Sequence, residues 1–146
     1  MLKIGYNIEK LTQKIKPSAI FLVIHQKLNK MKIIYNRFIP FKGFMVINLF
    51  GVLFVRNEYE DDMNEHAEVK NIVINHESIH TAQMRELWFI GFYLMYLFYY
   101  LFLLAKTGDA RTAYRKIPFE AEAYANERQA DYLATRERFA FKHYKV

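Results

Sequence analysis

His76-Glu77-Ser78-Ile79-His80 is the stretch of this chain that names a chemistry, and the fold is read outward from it. Two histidines four residues apart stand one above the other on a helix, so both imidazoles reach a single cation. The glutamate after the first histidine then lies beside the metal, placed to accept a proton from a water molecule there. So short a motif also arises by chance, so a third ligand must come from elsewhere. Gln83 falls three residues after His80 and seven after His76, on the same helical face. Arg85 and Glu86 close this polar section.

Upstream, Ile33 to Arg56 is rich in β-branched and aromatic residues and is punctuated by Pro40, Gly43 and Gly51. That pattern predicts a strand or a hairpin with Gly51 at the turn or a bulge. Arg56 to Glu65 reads as a solvated acidic connector, and the helical pattern begins near His66. Downstream, Leu87 to Ala105 carries no charge and is long enough for a transmembrane helix, yet Tyr93, Tyr96, Tyr99 and Tyr100 interrupt it. Lys106 to Lys116 reads as a loop around Gly108-Asp109. A last helix is expected from Pro118, a good first-turn residue, through to Tyr144.

On that last helix Glu120, Tyr124, Glu127 and Asp131 form one polar stripe, flanked by Phe119, Ala123, Ala130, Leu133 and Ala134. Glu120 is thereby placed to complete a His₂Glu set with a fourth position left for water. Glu122 points about 200° away. Glu127 shares the face of Glu120 and stands as a rival ligand or a partner behind it. An uncharged helix over 87–105 is about 28 Å long, so a single membrane span would put His76 and His80 on one side and Glu120 on the other. A span and a shared metal are incompatible. The segment is therefore expected to fold back, to be buried, or to lie in a membrane interface, with Gly91 as the natural break.

The chain has 146 residues, 53% of them apolar and 17% aromatic, which excludes a disordered protein and fits one domain with a core. It contains no cysteine, so transition-metal ligands must be His, Asp or Glu, and Zn²⁺ is the ion expected. The net charge of +6 comes without any nucleic-acid reader motif and favours an anionic membrane surface over nucleic acid. Residues 1–32 read as a basic extension, with Lys3, Lys10, Lys14 and Lys16 ahead of a short apolar run and no secretory cleavage site. Residues 33–146 read as a single domain. Localisation is expected to be cytoplasmic or membrane-associated, and the composition suggests a bacterial source. His25, His66 and His143 fall outside the motif, although His143 is near enough to the C-terminus to close over the site.

The pairing of His76-Glu-Ser-Ile-His-Thr-Ala-Gln83 with Ile117-Pro-Phe-Glu-Ala-Glu-Ala-Tyr-Ala-Asn-Glu127 resembles the gluzincin metallopeptidases. Its closest likeness is to members with an E-x-x-A-D element, the group of the CAAX prenyl and heat-shock membrane proteases and small gluzincin-like domains. The resemblance covers about Phe44 to Leu133, and Tyr124 stands where that element has an aspartate that orients a ligand histidine. It implies a mostly helical α+β fold: a short hairpin, an active helix, an apolar helix and a glutamate-bearing C-terminal helix. It also implies zinc on His76, His80 and Glu120, Glu77 as general base, and a peptide or protein substrate. That substrate would be held along an edge strand at 44–50 or 51–56. Tyr114, Arg111, Arg115 and Tyr124 are candidates to stabilise an oxyanion. The alternative is a non-catalytic membrane-associated or partner-binding protein with a structural or vestigial metal site. Oligomeric state is not legible.

Overall fold

The computed structural model describes residues 2–3 and 31–145. Apart from its ends, the expected N-terminal extension lies outside the described residues. The fold is α+β and mostly helical, as the sequence implies. The chain separates into two compact units, residues 1–78 and 79–146, and the division falls inside one continuous helix.

In the first unit, β1 (Leu2–Lys3), β2 (Lys32–Asn36), β3 (Phe44–Leu49) and β4 (Val52–Arg56) form a sheet in the order β1-β3-β4-β2. β3 and β4 are an antiparallel hairpin, and β4 pairs in parallel with β2. The hairpin turns at Phe50-Gly51 with both residues at positive φ, 55° and 85°. A two-residue turn of that hand matches the twist of the strands it joins, and glycine takes such a φ without strain. The Asn48 side chain caps the turn by accepting from Gly51 N at 2.9 Å. β4 alternates, with Leu53 and Val55 fully buried. Residues 57–65 are helical, not a loop: a 3₁₀ turn at Asn57–Tyr59 runs into α1 (Glu60–Glu65). Three acidic residues in the first turn of α1 complement its positive end, and buried Met63 anchors it.

Helix α2 (Ala67–Glu86) carries the pentad, and every residue from Ile72 to Thr81 is buried. The second unit takes up its last turns and adds α3 (Ile90–Thr107), α4 (Ala110–Lys116), α5 (Pro118–Asn126) and α6 (Tyr132–Thr135), with a final 3₁₀ turn at Ala140–His143. α2 and α3 part at Leu87–Phe89, where Trp88 and Phe89 both take φ near +56°. Each such residue costs about 1–2 kcal/mol, and Phe89 N recovers a partner in Met84 O at 2.7 Å. The break thus precedes Gly91, which sits within α3. Phe119 is the hub of this unit's core, with ring centroids of Phe92 at 4.8 Å, Tyr99 at 6.0 Å and Phe141 at 4.6 Å.

Two expectations are corrected here. Lys106–Lys116 is not a loop: Gly108 closes α3 in the left-handed conformation and Asp109 caps α4 through Thr112 N at 2.7 Å. The last helix ends at Asn126 rather than running to Tyr144. An unbroken helix would carry residue 136 about 21 Å along the axis from residue 122. The chain instead turns so that Arg136 reaches the carboxylate of Glu122, and Phe141 reaches Phe119.

Hydrogen bonds from Thr112 hold the Asp109 carboxyl below its ordinary value. A lowered folded pKa means stabilisation that is complete above about pH 4 and lost as pH falls through that lowered value. Asp109→Ala is accordingly expected to lower unfolding free energy at pH 7, with the gap from wild type closing in strong acid. Denaturant titrations at both pH values measure it.

Candidate metal centre

His76, His80 and Glu120 are all buried, and one donor atom from each lies within 4.8 Å of the others. The group could hold a metal ion. The two histidines are presented by one continuous helix, α2, and Glu120 by the first turn of α5. His80 Nε2 stands 3.3 Å from Glu120 Oε1. Two donors each 2.0–2.1 Å from a tetrahedral zinc ion stand about 3.3–3.4 Å apart, so this edge already has the size the ion requires.

The tautomer of His80 is set by its surroundings. Gln83 Nε2 donates to Phe119 O at 3.1 Å and to Glu122 Oε2 at 3.0 Å, which orients the amide. Its oxygen then faces His80 Nδ1 at 2.8 Å, so Nδ1 is the donor of that bond and Nε2 is the nitrogen turned toward Glu120. Behind Gln83, Glu122 accepts from Tyr132 Oη at 3.0 Å and from Arg136 Nε. Arg136 also grips Glu86 through two bonds, at 2.6 and 3.2 Å. Burial pulls Arg136 downward, but its hydrogen bonds to Glu122 and Glu86 carry it above the usual arginine value. The guanidinium is a fixed charge.

Glu120 Oε1 also accepts from Tyr96 Oη at 2.8 Å, halfway along α3. One turn earlier, Phe92 lies against the His80 ring at 6.0 Å. Burial, followed by the charge of Glu120, pushes the Tyr114 and Tyr124 hydroxyls well above the ordinary tyrosine value. Both stay protonated through the physiological range and keep an O–H to donate. The Arg115 guanidinium covers the Tyr124 ring at 4.6 Å. Glu77 is fully buried next to His76, and its backbone oxygen accepts from Asn48 Nδ2 at 2.7 Å.

Of the residues singled out from sequence, His76, His80 and Glu120 come together. Glu127 is buried at the end of α5 but is not one of the three. Glu122 is no ligand either, yet it is fully buried and supports Gln83. Gln83 orients His80. Arg111 is exposed, and so is His143, which lies 3.8 Å from Glu137. β3 lies between β1 and β4, and β4 between β3 and β2, so neither 44–50 nor 51–56 offers the free edge expected for a peptide. Sequence reasoning missed Tyr96, Glu86, Tyr132 and Arg136. The tyrosines inside an otherwise apolar helix were the available signal for Tyr96; the distant arginine carried none.

The chain was compared with protein-family models, curated proteins and solved structures, and none matches.

Removing one partner of a buried ion pair leaves a charge uncompensated, at a cost of about 3–5 kcal/mol. Arg136→Met is expected to lose that much unfolding free energy by denaturant titration, whereas exposed Arg138→Met changes it little.

Proposed function

We propose that this chain is a zinc-dependent peptidase of the gluzincin type, acting on a peptide or protein substrate at a membrane surface. The observation that carries the reading is the buried meeting of His76, His80 and Glu120, with His80 Nε2 turned toward Glu120 by Gln83. The cysteine-free donor set of two imidazoles and one carboxylate is that of hydrolytic zinc sites, which keep a fourth position open. Bound there, zinc supplies Lewis acidity, lowering the pKa of water to about 7 and polarising a carbonyl.

The remaining roles belong to the chain. Glu77, between the histidines in sequence, accepts the proton of the attacking water and returns it to the leaving amine. Tyr114 and Tyr124, kept protonated, supply hydrogen-bond donors where negative charge develops on the substrate oxygen. Phe92 and the aromatic cluster around Phe119 line the buried side of the site.

A second reading is favoured by the apolar side chains that α3 turns outward: a non-catalytic membrane-associated protein with a structural metal. Paired variants separate the two. Glu77→Gln is expected to keep stoichiometric zinc and lose about 10²–10⁴-fold in peptide hydrolysis. Glu120→Ala is expected to lose the zinc, and Gln83→Leu to bind it about 10–100-fold more weakly. Zinc in both wild type and Glu77→Gln without hydrolysis of any peptide pool would favour the second reading. No zinc in the wild type would remove both.

A further inference from the structure

Helix α3 is apolar all the way round, but only one side of it is packed. Phe92, Tyr93, Tyr96, Tyr99 and Leu103 pack into the second unit. Ile90, Leu94, Leu97, Phe98, Leu101 and Phe102 are exposed, Leu94 and Phe98 by about two thirds (64% and 66%). At 3.6 residues per turn these positions span an arc about 140° wide, with no charged residue in it. In a water-soluble helix this arc would be polar. Among the described residues α3 is the one helix long and apolar enough to cross a membrane, and only 11% of it is buried.

We propose that this outward face lies in the interface of an anionic lipid bilayer, the helix axis running along the membrane surface. The inference rests on the membrane-surface part of the proposed function and not on its chemistry. A span is excluded by the inner face: Phe92 lies on His80, and Tyr96, near the middle of α3, bonds Glu120. Lipid can reach the outer arc alone. The ends of α3 suit headgroups. Trp88, 88% exposed, stands at one end, where an indole sits at the level of the headgroups. At the other end the Lys106 ammonium lies 5.9 Å from the centroid of the Phe102 ring, and a lysine at such a place can lay its stem on apolar surface while its charge meets headgroups.

Charge selects lipid over a second copy. Exposed Arg85 precedes the segment, and exposed Lys106, Arg111, Arg115 and Lys116 follow. Over the same residues, 85–116, there are two acidic residues: Glu86, which Arg136 grips, and Asp109, which caps α4. Two copies meeting through this face would bring cationic ends together, whereas phosphate headgroups neutralise them.

Trp88 is the chain's single tryptophan and reports its own environment. The full chain is titrated with phosphatidylcholine vesicles, with and without phosphatidylglycerol, while tryptophan emission is recorded. Emission is expected to shift to the blue on phosphatidylglycerol vesicles and to be quenched by bilayer-embedded brominated lipid. Binding without the anionic lipid should be weaker by at least about tenfold. The double variant Leu97→Asp/Phe98→Asp should lose the response while keeping its helical circular dichroism. Unchanged emission on both vesicles would overturn the proposal, as would undiminished binding by the folded double variant. Blue-shifted emission without lipid, together with a dimer in sedimentation, would assign the face to a second copy. Brominated-lipid quenching of wild-type Trp88 decides the matter even if the double variant does not fold. Because emission and not hydrolysis is read, failure here is distinct from failure of the peptidase reading.

Discussion

A guanidinium held out of water between two carboxylates must keep both, and Arg136 keeps Glu86 and Glu122. The three come from the end of α2, from α5 and from the segment that follows α6, so one clamp ties together pieces far apart in sequence. Leaving any member unpaired would strand a buried charge. The clamp also fixes a conformation beyond itself. Glu122, already gripped, orients the amide of Gln83, and Gln83 holds Nδ1 of His80 so that Nε2 turns toward Glu120. A purely structural ion pair is thus connected, through two side chains, to the nitrogen that a cation would meet.

Helix α2 makes the same demand in another way. Its middle is buried on every side, yet it carries Asn75, His76, Glu77, Ser78, His80, Thr81 and Gln83. Apolar side chains at those positions would pack with less difficulty, since each buried polar group must be given a partner. A polar helix kept in the interior is the pattern expected where pKa and ligand geometry matter more than stability. The aromatic core around Phe119 supplies compensating packing, with tilted ring pairs worth about 0.5–1.5 kcal/mol each beyond the area they bury. The left-handed turn at Trp88-Phe89 is a local cost accepted for the same end, since it brings Phe92 against His80.

Much of this was legible in the residues. The spacing of His76 and His80 places both on one helical face, and the polar stripe offers Glu120 as a third donor with Glu127 as its rival. A strand or hairpin at Gly51 also follows from pattern, whereas for the apolar segment helix length leaves folding back, burial and an interfacial position open. Other features were hidden for identifiable reasons. Residues 57–65 read as a connector because charge dominates them, yet acidic residues suit the start of a helix and Met63 supplies an anchor. The Gly108-Asp109 pair reads as a loop, although glycine ends a helix and aspartate begins one. The extended last helix failed because periodicity knows nothing of Arg136, whose pairing with Glu122 outweighs local helix preference. Helical angle turns Glu122 away from the face of Glu120, but it says nothing of Gln83, which Glu122 meets.

Two imidazoles and one carboxylate are grouped so that they could hold a single cation. X-ray absorption at the zinc edge, on the full chain loaded with one equivalent of zinc, tests it most directly. A four-coordinate shell of nitrogen and oxygen at about 2.0–2.1 Å, with scattering from two imidazoles, is the result expected. A shell of solvent oxygens with one imidazole or none would contradict it.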